Sequence, residues 1–162
     1  MQRTTHRGLM ATALGLVLTV FPGGVLPAQG VEPLKPAKTD RCVECGMFVA
    51  SYRRWTTQIV MSGERKYFDG CKCLFRYIFG EEDTEALKPE ALFVTDYRRG
   101  RWVDGRVALY VLGSDVRGPM GRDLVPFEKE EDAKAFVAQH GGEVLRYDGL
   151  TRERLAPLLK KR

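Results

Sequence analysis

The same order of local patterns occurs twice along this chain, and it constrains the fold more than any other feature. In the first half, residues 55–61 and 66–68 have strand composition, and Ser62-Gly63-Glu64 separates them as a turn. Leu74, Phe75, Ile78 and Phe79 then recur at helical spacing, which predicts a helix over residues 71–79. A polar loop and a strand at residues 91–96 complete this half.

The second half follows the same order. Strands are predicted at residues 101–103 and 107–112 with Asp104-Gly105 as the turn between them, then a loop over residues 113–125. A helix over residues 130–140 ends at Gly141-Gly142, a strand follows at 143–147, and Thr151 caps a short terminal helix. The expected class is α+β, with two strand-strand-helix-strand halves and an antiparallel sheet packed by helices.

The N-terminus has the pattern of a targeting segment. Arg3 and Arg7 precede a short apolar run over residues 9–21, and Ala28-Gln29-Gly30 has the form of a cleavage site. We therefore predict a signal peptide at residues 1–30, an extended lead-in at 31–40, one domain at 41–162 and a periplasmic location. An uncleaved membrane anchor is the alternative. No cysteine ends the apolar run, and Cys42 is too far downstream, so a lipoprotein is not expected.

Charge and histidine content exclude several function classes. Removing residues 1–30 takes away two arginines and no acid, so the formal charge falls from +5 to +3. Basic and acidic clusters both remain, so neither sign of charge dominates the surface. That mixed surface does not predict nucleic-acid binding. Only His140 remains outside the leader. Imidazole-rich metal chemistry and catalytic triads are therefore not expected, and the chain is predicted not to be an enzyme.

Two sulfur-bearing motifs point to copper. Cys42-Val43-Glu44-Cys45-Gly46-Met47 places two thiols and a thioether within six residues, and Gly118-Pro119-Met120-Gly121 holds a second methionine in a turn. Thiolate and thioether are soft ligands, which select Cu(I). We predict Cys45, Met47 and Met120 as copper ligands. The alternative for each methionine is ordinary core packing.

The role of Cys42, Cys71 and Cys73 is open at this stage. With Cys45 they could form a structural zinc site of four thiolates. In an exported chain, Cys42 could instead form a disulfide with Cys71 or Cys73. A Cys42–Cys45 redox motif is less well supported, because the motif follows a proline-rich leader and not a strand. Asp69 is expected to be the N-cap of the first helix.

The chain resembles the NosL family, the nitrous oxide reductase accessory proteins. The matching motifs occur in family order over about residues 40–148. They are Cys42-Val43-Glu44-Cys45-Gly46-Met47, Tyr67-Phe68-Asp69-Gly70, Trp102-Val103, Ala108-Leu109-Tyr110-Val111, Gly118-Pro119-Met120-Gly121 and Gly141-Gly142-Glu143-Val144.

The resemblance implies an exported Cu(I) chaperone of denitrifying bacteria. It would work with a membrane ABC-transporter assembly to build the copper centre of nitrous oxide reductase, with peripheral membrane contact as a further expectation. By position, Cys45, Met47 and Met120 fall on the family's copper pattern, and two strand-strand-helix-strand halves are its fold. Many members are lipoproteins, whereas this sequence lacks a lipidation cysteine. Cys71 and Cys73 look like additions to the common pattern.

Overall fold

The first helix and the hairpin before it form where the sequence predicts them. In a computed structural model, which describes residues 30–80 and 85–160, strand β1 (Thr57–Met61) pairs with β2 (Glu64–Phe68). Ser62 and Gly63 both have positive φ, as the two-residue hairpin turn requires. Helix α1 (Cys71–Phe79) follows and keeps its predicted bounds. The predicted signal peptide and part of the polar loop after α1 lie outside the described residues.

A four-stranded antiparallel sheet is built on this hairpin. Strand β3 (Ala91–Thr95) pairs with β1, and β4 (Trp102–Asp104) pairs with β3, which gives the order β2-β1-β3-β4. The prediction that Asp104-Gly105 joins two paired strands is wrong. The next strand, β5 (Leu109–Leu112), belongs to a different sheet, so the chain leaves the first sheet at Gly105, whose N–H donates to the carbonyl of Leu92.

The second sheet repeats the topology of the first. Strand β5 lies between β8 (Val125–Phe127) and β9 (Glu143–Leu145), just as β1 lies between β2 and β3. Helix α2 (Glu130–His140) separates β8 from β9 and has its predicted bounds. The two strand-strand-helix-strand units and the α+β class are therefore confirmed, with β8 in place of the predicted strand at residues 101–103.

The predicted loop at residues 113–125 contains a small hairpin. Strands β6 (Arg117–Gly118) and β7 (Gly121–Arg122) pair antiparallel, with Pro119 and Met120 as the turn. Gly121 has φ 86°, a conformation that disfavours residues with a Cβ. The turn that carries Met120 is thus fixed by the pairing of its flanking residues.

Two apolar clusters hold the domain together. The larger contains residues of α1, β1, β3 and the terminal helix α3 (Arg152–Leu159), and the smaller joins β5, β8 and α2. Helix α3 packs against α1, and Thr151 caps it by accepting from the N–H of Arg154, as predicted. His140 ends α2, and its Nδ1 lies 2.9 Å from Asp115 Oδ1, a structural contact.

The lead-in at residues 31–40 is attached to the first sheet. The Gln58 side chain bonds both the N–H and the carbonyl of Leu34, at 3.0 Å each. Within the described parts of the chain, no helix has the length and apolar content that a membrane span requires.

Candidate metal centre

The Cys42–Met47 segment is a tight turn closed by its own backbone. The N–H of Cys42 donates to the Met47 carbonyl at 2.8 Å, and the N–H of Gly46 donates to the Cys42 carbonyl at 2.8 Å. Gly46 has φ 78°, a conformation that glycine adopts without strain. The Arg41 guanidinium donates to the Gly46 carbonyl at 2.9 Å. These bonds bring the side chains of Cys42 and Cys45 to the same place.

Two contacts attach this turn to the rest of the domain. The N–H of Val43 donates to the Tyr67 carbonyl on β2 at 3.2 Å. Glu44 pairs with Arg76 of α1 at 3.3 Å, and both side chains are less than a fifth exposed. The turn therefore lies where β2 ends and α1 begins.

Two residues at that junction complete a group of four. Asp69 follows β2 directly, Cys73 lies in the first turn of α1, and both are 0% exposed. The ligand atoms of Cys42, Cys45, Asp69 and Cys73 all lie within 4.8 Å of one another. Cys42 is 2% exposed, whereas Cys45 is half-buried. We call this group the thiol–carboxylate cluster. Three of its members are buried, and Cys45 is the member that solvent reaches.

Asp69 does not cap α1 as the sequence predicted. The N-cap of α1 is Gly70, and Asp123 from the second half accepts the N–H of Lys72 at 2.6 Å and that of Leu124 at 2.8 Å. Both carboxylate oxygens of Asp69 are buried without a nitrogen or oxygen donor in the described structure, and the Cys73 thiol interacts with this carboxylate. A buried carboxylate in that state is costly unless a cation balances it. The sequence did not identify Asp69 as a site residue, although Asp69 lies in the family motif Tyr67-Phe68-Asp69-Gly70.

The three thiols of the thiol–carboxylate cluster differ in the direction of their pKa shifts. A hydrogen bond from Cys73 lowers the pKa of Cys42 to about 7. Burial raises the pKa of Cys45 to about 12, with smaller contributions from its hydrogen bond with Cys42 and the Asp69 charge. Donating to Cys42 raises the pKa of Cys73, and burial adds to that rise. A metal that enters the cluster must therefore displace protons.

Cys71 lies apart from this group. It is 1% exposed, burial raises its pKa well above the ordinary value, and it is not a member of the thiol–carboxylate cluster. All four cysteines are free thiols. The cluster thus differs from the four-thiolate zinc site considered above, because Asp69 stands where that hypothesis placed Cys71.

The two predicted methionine ligands lie in two separate turns. Met47 ends the cysteine turn, and Met120 lies in the turn between β6 and β7. The carbonyl of Met120 accepts from Lys72 Nζ at 3.2 Å, which attaches its turn to the beginning of α1. Both methionines are half-buried, and Met120 packs, like Cys45, against the larger core cluster. Their role as ligands stays a prediction.

The sequence profile of the NosL family matches residues 33–155, most of the chain. This chain belongs to the NosL family. Its sequence is 31% identical over 149 residues to the copper-binding lipoprotein NosL of Stutzerimonas stutzeri, covering 86% of this chain and 77% of that protein. It is 43% identical over 53 residues to the copper-binding lipoprotein NosL of Achromobacter cycloclastes, covering 32% of this chain and 28% of that protein.

A solved NosL structure has the same fold. The crystal structure of the copper chaperone NosL from Shewanella denitrificans superimposes with a TM-score of 0.66 at 25% identity, over 75% of this chain and 97% of that one. The predicted membership of the NosL family and the α+β fold are both confirmed.

Proposed function

We propose that this NosL protein is an exported Cu(I) chaperone that takes up and releases copper at Cys45, with thioether help from Met47 and Met120. The observation that carries the proposal is the thiol–carboxylate cluster, in which three cysteine sulfurs and one carboxylate converge within 4.8 Å. Relatives named as copper-binding NosL proteins support the choice of cargo.

The exposure of the cluster suits transfer. Cys42 and Cys73 are buried, and Cys45 is half-buried, so an incoming partner reaches Cys45 first. Thiolate binds Cu(I) strongly, whereas thioether bonds are weaker and exchange readily. A carrier with one thiolate and two thioethers can hold the ion and still pass it to a stronger acceptor.

The proposed client is the copper centre of nitrous oxide reductase, and the proposed partner is a membrane ABC-transporter assembly. The support is membership of the NosL family. Export and a periplasmic location fit the lipoprotein names of the two relatives. Cys42 is the first cysteine of the sequence and is 2% exposed within the cluster, so we do not expect it to carry a lipid.

A carrier role also fits the scarcity of groups for acid–base chemistry. The sequence contains two histidines, and His140 is paired with Asp115 at the end of α2. We therefore propose binding and transfer, and no catalysis.

Competitive Cu(I) titration against a chromogenic chelator tests the ligand set. Cys45→Ser should abolish tight binding because it removes the charged ligand, and Met47→Leu and Met120→Leu should each weaken binding while leaving the fold intact. Met61→Leu on β1 is the matched control and should bind like wild type. Affinity should rise with pH, since copper displaces the Cys45 proton. Wild-type affinity in Cys45→Ser would contradict the assignment.

The client is tested in cells that make nitrous oxide reductase. Deleting this protein should yield reductase deficient in copper, and wild type but not Cys45→Ser should restore the metal content. A fully loaded reductase in the deletion strain would show that the client is a different enzyme.

A further inference from the structure

A cavity of about 470 Å³ lies between the lead-in and the first sheet, and it shares no residue with the thiol–carboxylate cluster. Its volume is within the range of about 300–1,000 Å³ that is usual for small-molecule sites. One wall is the lead-in segment 35–38, and the others come from the short 3-10 helix region, the ends of β1 and β3, and the β3–β4 turn. The lining residues are Lys35, Pro36, Ala37, Lys38, Ala50, Arg53, Thr56, Thr95, Gly100 and Trp102.

The wall formed by the lead-in is fixed by hydrogen bonds on both sides. Before it, Leu34 is held by its two bonds to Gln58, at 3.0 Å each. After it, the N–H of Ala37 donates to Asp40 Oδ2 at 2.7 Å, and the N–H of Asp40 donates to the Ala37 carbonyl at 3.2 Å. The cavity therefore has a preformed wall that does not depend on a ligand.

Trp102 gives the cavity an aromatic side with a polar edge. The residue is half-buried on β4, and its indole N–H has no hydrogen-bond acceptor among the described residues. Thr56 and Thr95 are 2% and 3% exposed, and their hydroxyls donate to protein carbonyls, at 3.1 Å to Tyr52 and at 2.7 Å to Thr56. An apolar ring face with a free N–H suits a ligand that has both an apolar body and oxygen acceptors.

The charge of the lining has one sign. Lys35, Lys38 and Arg53 line the cavity, and no aspartate or glutamate does so in the described parts of the chain. None of the three cations has an ion pair within those parts. The acids nearest in sequence, Asp40 and Asp96, accept backbone N–H groups instead. Three cations without a counter-charge at one cavity favour an anionic ligand.

We propose that this cavity binds an organic phosphate, with the phosphate at Lys35, Lys38 and Arg53 and an aromatic or apolar body against Trp102. A phosphate monoester carries a charge of about −1.5 to −2 near pH 7 and three acceptor oxygens, which matches three cations better than a single carboxylate does. Inorganic phosphate alone would leave the Trp102 side unused. The site is independent of the proposed copper transfer, since it uses neither the cysteines nor the two methionines.

Titration calorimetry with three small probes tests the ligand class. Phenyl phosphate should bind at least about 10-fold more tightly than inorganic phosphate, which lacks the ring, and than benzoate, which carries less charge. Trp55→Phe leaves Trp102 as the single tryptophan of the sequence, so its fluorescence should change as phenyl phosphate binds.

Arg53→Gln and Arg54→Gln form a matched pair of variants. Both arginines are exposed and both changes remove one positive charge, but Arg54 does not line this cavity and lies over the Tyr97 ring, 5.1 Å from its centroid. Arg53→Gln and Lys38→Gln should each weaken phenyl phosphate binding by about 10-fold, whereas Arg54→Gln should bind like wild type. Cys45→Ser should also bind like wild type, which separates this site from copper binding.

Four results would overturn the proposal. Absence of saturable phenyl phosphate binding would exclude the site, and an equal loss in Arg53→Gln and Arg54→Gln would show unspecific attraction to basic side chains. Equal affinity for inorganic phosphate or benzoate would contradict the ligand class. Unchanged Trp102 fluorescence on binding would show that the ligand lies elsewhere.

Discussion

Asp123 accepts the backbone N–H of Lys72 at 2.6 Å, so a carboxylate from the second half of the chain caps the first helix of the first half. The same oxygen accepts the N–H of Leu124 at 2.8 Å. Asp69 precedes α1 in sequence but is not used as its cap, and its carboxylate is available to the thiol–carboxylate cluster. One long-range hydrogen bond thus fills the capping role that the sequence predicted for Asp69.

Asp123 should make the stability of the metal-free protein depend on pH. Burial raises its pKa from 3.8 to about 7, and the Asp69 charge adds to this, while the bonds from Lys72 and Leu124 oppose it. Because the folded state holds the proton more tightly, this stabilisation is full below about pH 4 and is lost as the pH rises through about 7.

Asp123→Asn should remove this dependence, because the amide oxygen can accept the same two bonds without titrating. Relative to that variant, wild type should lose up to about 4 kcal/mol of unfolding free energy between about pH 4 and 8. Urea unfolding at a series of pH values measures the difference. Parallel profiles for the two proteins would refute the role assigned to Asp123.

Gly118 is predicted to be intolerant of a side chain. A Cβ there would lie 2.6 Å from Asp123 Oδ2 and 2.9 Å from Asp123 Cβ, and an atom so close to the backbone cannot rotate away. Gly118→Ala should cost about 1–3 kcal/mol by thermal or urea unfolding. Gly149→Ala, where a Cβ meets nothing within 4 Å, is the control and should change stability by less. Equal effects would contradict the packing argument.

Mild oxidation should link Cys42 to Cys73 and leave Cys71 free. Cys42 and Cys73 share a hydrogen bond inside the cluster, and Cys71 is not a member of it. Diamide treatment of metal-free protein followed by non-reducing peptide mapping measures the pairing. Cys71→Ser should oxidise in the same way. A disulfide that contains Cys71 would show that this arrangement of thiols is wrong.

The ion pair between Glu44 and Arg76 should stabilise the folded protein. Its side chains are 18% and 13% exposed and lie 3.3 Å apart, so water screens them weakly. A double-mutant cycle of Glu44→Gln and Arg76→Met should give a coupling energy of about 1–3 kcal/mol. The exposed pair Glu85–Lys88 is the control, with about 0–0.5 kcal/mol expected. Similar coupling in both pairs would contradict the role of burial.

Local signals were sufficient for the helices and for the first hairpin. The helical spacing of apolar residues gave the bounds of α1 and α2, and Ser62-Gly63 gave the β1–β2 turn, because each depends on residues within one or two turns of chain. The spacing of Cys42 and Cys45 in one short motif likewise predicted that these two thiols lie close together. These features follow from short-range geometry, and the family motifs are arranged on them.

Tertiary structure decided which residues complete the candidate site and which strands pair. Residues two apart on a helix diverge by about 200°, so only one of Cys71 and Cys73 can face the cluster, and the packing of α1 selects Cys73. Strand β4 joins the first sheet by pairing with β3, which ends seven residues before β4 begins, and does not pair with the next strand after the turn. Asp123, 54 residues from Asp69, has the capping role that the sequence predicted for Asp69. Partners at such separations leave no periodic trace in the sequence, so only the folded chain identifies them.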